Sequence, residues 1–146
     1  MRALVLLTIA ACAESGPPPA DKVIARLGTV GASCERGRWG QVECGSQDRY
    51  AMVLATLQLR PGDKLEHLLL KVGGVAGQQA WPRIDAVIDG LVSDKARAAI
   101  YAHLEDQTGD DNYVGTSIPF DDYQVAASRQ AQGMWSVYRV SVWWPK

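Results

Sequence analysis

Histidine is the side chain that most readily serves as a general base near neutral pH, and this chain of 146 residues has two, His67 and His103. Both lie in segments whose apolar spacing predicts helices, and the sequence places no catalytic partner beside either of them. The sequence has no Gly-x-Ser-x-Gly elbow, P-loop, His-Glu-x-x-His or dinucleotide-binding pattern. We therefore predict no catalytic residue, no metal site and no cofactor.

Acidic side chains are concentrated in one region of the chain. No Lys or Arg occurs between Arg97 and Arg129, whereas this region has six Asp and Glu residues. Residues 106–112, DQTGDDN, lack the Asp-x-Asp-x-Asp-Gly spacing of a calcium-binding EF-hand loop. The region is therefore either a solvated acidic loop or a surface that attracts a protein partner with a basic surface. The candidate residues of that surface are Asp110, Asp111, Asp121 and Asp122.

A second candidate surface lies on the strand-like segment 135–144. Alternation along a strand places Trp135, Arg139 and Trp143 on one face and Tyr138 and Trp144 on the other. If no helix covers the first face, its two tryptophans and the guanidinium form a candidate binding surface. The alternative is that one or both tryptophans pack in the core or at an edge.

The N-terminus has the pattern of a secretory signal peptide. Arg2 precedes an uncharged apolar run, residues 3–11, which is much shorter than the about 20 residues that a membrane-spanning helix needs. Ile9-Ala10-Ala11-Cys12 resembles the lipobox of bacterial lipoproteins. The resemblance implies that residues 1–11 are removed and that Cys12 carries the lipid and becomes the acylated N-terminus. The alternative is a non-lipidated signal peptide with an incidental cysteine.

The resemblance also implies a location and a domain organisation. Ala13 is not the aspartate that retains enterobacterial lipoproteins in the inner membrane, so we expect attachment to the outer membrane, facing the periplasm. Residues 12–20 are then the lipidated cysteine and a Pro-rich spacer, and residues 21–146 are a single domain. Loss of Arg2 leaves 14 basic and 16 acidic residues, a net charge of −2, which argues against nucleic-acid binding.

With Cys12 assigned to the lipid, two cysteines remain. A secreted chain with two remaining cysteines most simply joins them, so we predict a disulfide between Cys34 and Cys44. Metal binding by the two thiols is the alternative, but the pair lacks Cys-x-x-Cys spacing and a second pair of ligands.

The predicted elements indicate the fold class. Apolar residues at helical spacing predict helices at 21–30, 63–72 and 82–104, the last interrupted near Ser93. Alternating and β-branched segments predict strands at 39–45, 49–59, 113–118, 123–130 and 135–144, the last two forming a hairpin. We therefore predict an α+β fold, with an antiparallel sheet of four to five strands and helices packed on one face.

Three functions remain open on this evidence. The absence of a catalytic pattern favours a non-catalytic envelope lipoprotein that binds a protein partner, as an inhibitor, an immunity-type protein or a subunit of a complex. The tryptophan face favours a module that binds a small ligand or peptidoglycan. The third is a periplasmic enzyme that uses His103 with an Asp or Glu brought near it by the fold.

Overall fold

The computed structural model describes residues 16–47, 51–75, 80–105, 117–120 and 122–145. These residues form an α+β fold of three helices and one seven-stranded antiparallel sheet. The helices are α1 (Ala20–Thr29), α2 (Ala80–Ile88) and α3 (Asp94–Glu105). The strands are β1 (Ser33–Arg36), β2 (Gln41–Gln47), β3 (Ala51–Arg60), β4 (Lys64–Val75), β5 (Ile118–Pro119), β6 (Gln124–Gln132) and β7 (Trp135–Trp143).

The strands lie in the order β1-β2-β3-β4-β7-β6-β5. The first four follow one another as a meander, the chain then passes through α2 and α3, and β7 returns to pair with β4. The α+β class is confirmed, but the predicted number of four to five strands is wrong. The structure adds β1 and β4 to the predicted strands. Of the strand predicted at 113–118, residues 113–116 lie outside the described residues, and Ile118 belongs to β5.

The predicted helix at 63–72 is wrong, because this segment is strand β4. Leu65 and Leu68 are both buried, and their spacing of three residues looks helical in the sequence. The spacing has another cause: the pairing of β3 with β4 shifts register here, so that Glu66 is an extra residue in β4. The bulge returns Leu65 and Leu68 to the same face of the sheet. Asp63, which suggested a helix cap, lies in the β3–β4 turn with a φ of +56°.

Two other predictions about the elements are confirmed. The hairpin of β6 and β7 forms, with Gln132 paired to Trp135. The helical region breaks near Ser93, where α2 has ended and α3 begins. The Ser93 hydroxyl accepts a hydrogen bond of 3.2 Å from the Ala96 amide, as an N-cap does.

The core lies between the helices and one face of the sheet. That face carries alternate residues of each long strand, such as Leu57 of β3, Leu70 of β4 and Val140 of β7. They join one hydrophobic cluster with Leu27 of α1, Ile84 of α2 and Ile100 of α3. The alternation predicted for β7 is confirmed: Tyr138, Val140, Val142 and Trp144 are buried.

The described part of the Pro-rich segment lies against the domain. The Leu65 amide donates to the carbonyl of Pro18 at 2.9 Å, and the Ala20 amide donates to the carbonyl of Asp63 at 2.8 Å. The Gly16 amide donates to the Asp122 carboxylate at 2.6 Å. Gly16 to Ala20 are therefore held beside the β3–β4 turn.

The predicted disulfide is present. Cys34 on β1 and Cys44 on β2 are directly paired in the register of the two strands and are joined through their sulfurs. Cys44 is buried in the core cluster, so the bridge attaches the edge strand β1 to the sheet.

Candidate functional site

The sheet face opposite the core carries a second set of side chains, which we call the open face. Direct pairing across β3, β4, β7 and β6 forms its rows, since paired residues in antiparallel strands point to the same side. One row is Thr56, Leu69, Ser141 and Ala126. The next row, nearer the β3–β4 turn, is Gln58, His67, Trp143 and Gln124. Two hairpins that are distant in the chain, β3–β4 and β6–β7, thus contribute adjacent polar and aromatic groups.

The bulge in β4 places two titratable side chains together on this face. Gln58 pairs with His67 and Leu59 with Leu65, so Glu66 has no residue opposite it in β3. Glu66 and His67 are consecutive and both are partly exposed, while Leu65 and Leu68 on either side are buried. A bulge is a common device for directing side chains at a site.

His67 contacts a polar side chain of the neighbouring strand. Its Nε2 lies 2.7 Å from the Oγ of Ser141, which is on the neighbouring strand β7. Burial lowers the pKa of His67 from its ordinary value, and the negative charge of Glu66 partly opposes that shift. The imidazole is therefore predominantly neutral at pH 7 and acts there as a hydrogen-bonding group.

These residues line a groove of about 690 Å³ on the open face. That volume lies within the range of small-molecule sites, about 300–1,000 Å³. Hydroxyl, amide, imidazole, indole and carboxylate groups surround the groove, the last from Glu66, and Trp143 is 45% exposed. Its principal lining residues are Thr56, Gln58, His67, Gln124, Ser141 and Trp143.

Several groove side chains are held in place by hydrogen bonds. Gln58 donates from Nε2 to the carbonyl of Trp39 at 2.8 Å, and the Ser117 hydroxyl donates to the Gln124 side-chain oxygen at 2.9 Å. The Thr56 hydroxyl donates to the Glu43 carboxylate at 3.1 Å. The groove is therefore partly preorganised, which lowers the entropic cost of binding.

The predicted tryptophan surface is only partly assembled in the groove. Trp143 lines it, whereas Trp135 packs over Gly73, where an added Cβ would lie 2.9 Å from the indole nitrogen. Arg139 is directly paired with Lys71, and its Nη2 donates to the Gln130 side chain at 3.1 Å. The three residues share a face as predicted, but Trp143 alone of them reaches the groove.

The predicted acidic surface falls mainly outside the described residues. Cys12, Asp110, Asp111 and Asp121 are not described, while Asp122 is exposed and accepts the hydrogen bond from Gly16. His103 lies on α3 as predicted, and its Nδ1 is 3.0 Å from the Ala99 carbonyl of the preceding turn. This contact commits Nδ1 as a donor to the helix backbone.

A second depression, of about 600 Å³, lies between α2 and α3. The depression is lined by the aromatic rings of Trp81 and Tyr101, whose centroids are 5.0 Å apart. The Tyr101 hydroxyl donates to Asp85 at 2.6 Å, and Arg97 forms ion pairs with Asp85 and Asp89. Burial and this hydrogen bond raise the pKa of Tyr101. Because these polar groups bind one another, the depression is a weaker candidate than the groove.

No protein-family model, curated protein or solved structure matches this chain. Among the described helices, none is long and apolar enough to cross a membrane. Within the same ranges, no three His, Cys, Asp or Glu side chains are grouped so as to hold a metal ion. The groove geometry is therefore the main structural guide to function.

Sequence reasoning names His67 without a partner and gives Ser141 no role, although the two are central to the groove. The apolar spacing predicts a helix around His67, and alternation along 135–144 places Ser141 on the face of Trp135 and Trp143 without indicating what it contacts. The available signal was the polar pair Glu66-His67 interrupting a Leu-rich run, which is a pattern that a bulge also produces.

Proposed function

We propose that this protein is a lipid-anchored envelope protein that binds, without converting it, a small polar ligand in the groove on its open sheet face. The lipobox-like Cys12 supplies the anchor, and the location is the outer membrane, facing the periplasm. The observation that carries the binding role is the groove of about 690 Å³ formed by Trp143, His67 and Ser141.

A binding role is favoured over catalysis by the surroundings of Ser141. A serine nucleophile needs a base, which His67 could provide, and also amide donors that stabilise the oxyanion. Ser141 lies in the middle of β7, which is paired along its length with β4 and β6. The backbone amides around Ser141 are therefore used in hydrogen bonds within the sheet. We interpret the His67–Ser141 contact as positioning both groups for a ligand.

The chemistry of the lining indicates the class of ligand. A half-exposed indole offers a flat apolar surface, and the amides of Gln58 and Gln124 offer both donors and acceptors. This combination suits a ring that has one apolar face and a rim of hydroxyl and amide groups. We propose a peptidoglycan fragment of disaccharide size.

A fluorescence titration tests the ligand proposal. The full chain carrying Cys12→Ala is titrated with a disaccharide-dipeptide fragment of peptidoglycan, beside the same chain with Trp143→Phe or Trp39→Phe. We expect saturable emission changes for the parent chain and the Trp39→Phe variant, and at least tenfold weaker binding for Trp143→Phe. Equal affinity in all three chains would place the ligand elsewhere, and no response in any chain would exclude this ligand class.

The protein-partner function is the second candidate, and Asp122 is its described residue. The Asp122 side chain is exposed on the segment before β6, close to one end of the groove. Affinity capture tests this function. The Cys12→Ala chain is used as bait beside the same chain in which Asp110, Asp111, Asp121 and Asp122 are changed to Asn. A basic envelope protein retained only by the first bait would favour this candidate over the small ligand.

The anchor has its own test. In a bacterial host fed labelled palmitate, the wild-type chain should be labelled and should sediment with membranes, and the Cys12→Ala chain should lose both properties. Membrane attachment that survives this substitution would contradict the lipobox interpretation.

A further inference from the structure

The tip of the β1–β2 hairpin carries the most exposed large apolar side chain among the described residues. Trp39 is 91% exposed, and it lies in the turn that the Gln41 amide closes by donating to the Arg38 carbonyl at 3.2 Å. Its φ is +64° and that of Gly40 is +72°. Positive φ at both central positions of a hairpin turn is usual for Gly, Asn or Asp and uncommon for a bulky residue. The turn therefore presents an indole to solvent in a conformation that other residues adopt more easily.

Trp39 lies at the same end of the sheet as the N-terminal attachment. The Gly40 carbonyl accepts a hydrogen bond of 2.8 Å from the amide of Leu59, which is the second-last residue of β3. Arg36 at the end of β1 bonds Asp63 of the β3–β4 turn at 3.2 Å. Because Pro18 and Ala20 bond residues at the same turn, the hairpin tip and the start of the described chain lie at the same end of the sheet.

The sequence limits how far this end can lie from a lipid on Cys12. Cys12 and Gly16 are four positions apart, and a fully extended chain over four positions spans at most about 14 Å. A lipid on Cys12 therefore holds this end of the domain next to the bilayer surface. The opposite end carries the β6–β7 turn with Met134, which is 80% exposed.

This end carries exposed basic side chains that an anionic surface attracts. Arg38 is exposed directly beside Trp39, and Lys64 is exposed in the first position of β4. The acidic neighbours Asp21 and Asp63 both form ion pairs with Arg36, and Asp122 binds the Gly16 amide. Basic groups close to a membrane are attracted to anionic lipids, and tryptophan favours the interface between headgroups and acyl chains.

We propose that the β1–β2 hairpin docks on an anionic phospholipid bilayer, with the Trp39 indole at the interface and Arg38 on the headgroups. The tether gives this weak contact a high effective concentration. The row of Gln58, His67 and Trp143 lies toward the same end of the sheet, so docking directs the groove toward the membrane. The orientation in the cell rests on the proposed anchor at Cys12, whereas the lipid affinity of the hairpin does not.

Quenching by brominated lipids tests this contact without relying on biological lipidation. Cys34 and Cys44 form a disulfide, so Cys12 is the remaining thiol of the three cysteines. The full chain is coupled through Cys12 to maleimide-headgroup lipid in vesicles of phosphatidylcholine and phosphatidylglycerol, with and without brominated acyl chains. We compare wild type with Trp39→Phe, Arg38→Gln and the matched control Met134→Ala, whose exposed side chain lies at the far end.

The chain has five tryptophans, so quenching of Trp39 alone removes about one fifth of the emission in brominated vesicles. We expect this loss for wild type and Met134→Ala, none for Trp39→Phe, and a smaller loss for Arg38→Gln that depends on phosphatidylglycerol. Equal quenching of wild type and Trp39→Phe, or none in either, would overturn the proposal. Changes that depend on protein density in unbrominated vesicles would overturn it in favour of a second copy on Trp39. Failure of palmitate labelling in cells leaves this result unaffected and contradicts only the anchor.

Discussion

The imidazole Nε2 of His67 lies 2.7 Å from the hydroxyl oxygen of Ser141, although 74 positions separate the two residues in the chain. The contact exists because β7, the last strand, pairs with β4 in the middle of the sheet. It joins the two halves of the fold at the groove that we propose as the binding site.

This contact predicts how stability depends on pH. Burial lowers the pKa of His67 in the folded state, whereas in the unfolded chain this side chain has its ordinary pKa of about 6.5. As the pH falls toward that value, the unfolded chain therefore binds a proton more readily than the folded chain. Because stability rises with pH wherever the unfolded state binds more protons, the contribution of His67 is lost as pH falls from 7 through 6.5. Urea unfolding between pH 7 and pH 5 should show a smaller loss of stability for His67→Gln than for wild type. Identical pH dependence in the two chains would contradict the assigned shift.

Two adjacent tryptophans should differ in their contribution to stability. Trp144 is 2% exposed and packs in the core, whereas Trp143 points into the groove on the other face. Truncating a buried tryptophan to alanine costs about 3–5 kcal/mol, whereas changes at an exposed position cost less than about 1 kcal/mol. We expect Trp144→Ala to lower the free energy of unfolding by the larger amount and Trp143→Ala by the smaller. The reverse order in denaturant titrations would mean that the two faces of β7 are assigned the wrong way round.

Gly73 is expected to be intolerant of a side chain. A Cβ at this position would lie 2.9 Å from the indole nitrogen of Trp135, so the ring would have to move. Overpacking of this kind typically costs about 1–3 kcal/mol. Gly28 near the end of α1 is the matched control, because its Cβ would meet nothing within 4 Å, and alanine is the better helix former. Thermal unfolding should show a lower Tm for Gly73→Ala and an equal or higher Tm for Gly28→Ala. A Gly73→Ala chain as stable as wild type would show that Trp135 moves without cost.

The Cys34–Cys44 bridge should stabilise the domain and its first hairpin. Closing a loop of this length removes unfolded-state entropy worth about 2–3 kcal/mol on the chain-entropy model. The double variant Cys34→Ala with Cys44→Ala should lose about that free energy of unfolding in denaturant titrations. Wild type treated with a reducing agent should lose a similar amount. No difference between oxidised and reduced wild type would mean that strand pairing alone holds β1.

Parts of the fold follow from local patterns. Helix α1 and strand β7 each have a single period over their whole length, and both form where the sequence predicts them. The break near Ser93 also follows from a local feature, a capping hydroxyl between two apolar segments. In each case the residues that determine the structure lie within one turn or one strand of each other.

Strand β4 could not be predicted this way. Its Leu-rich sequence is also compatible with a helix. The bulge at Glu66 buries both Leu65 and Leu68, and a spacing of three residues between buried positions is typical of a helix. What makes it a strand is that both of its edges are hydrogen-bonded, to β3 on one side and to β7 on the other. The β7 partner is provided by a segment more than sixty residues further along the chain. Long-range pairing of this kind overrides local propensity.

The sequence by itself determined the α+β class, the disulfide, the alternation of β7 and the pattern that makes Cys12 a candidate anchor, because each depends on residues close together in the chain or on a simple count of cysteines. The tertiary structure alone decided which polar residues meet. The pairing of β4 with β7 and the bulge at Glu66 bring His67, Ser141 and Trp143 to one groove, and the β1–β2 turn places Trp39 at the end of the sheet where Asp63 of the β3–β4 turn binds Ala20. The physical reason is that a groove on a sheet depends on the register between its strands. Register is set by which residues of all the strands are buried together on the opposite face, and no short segment of the sequence encodes that alone.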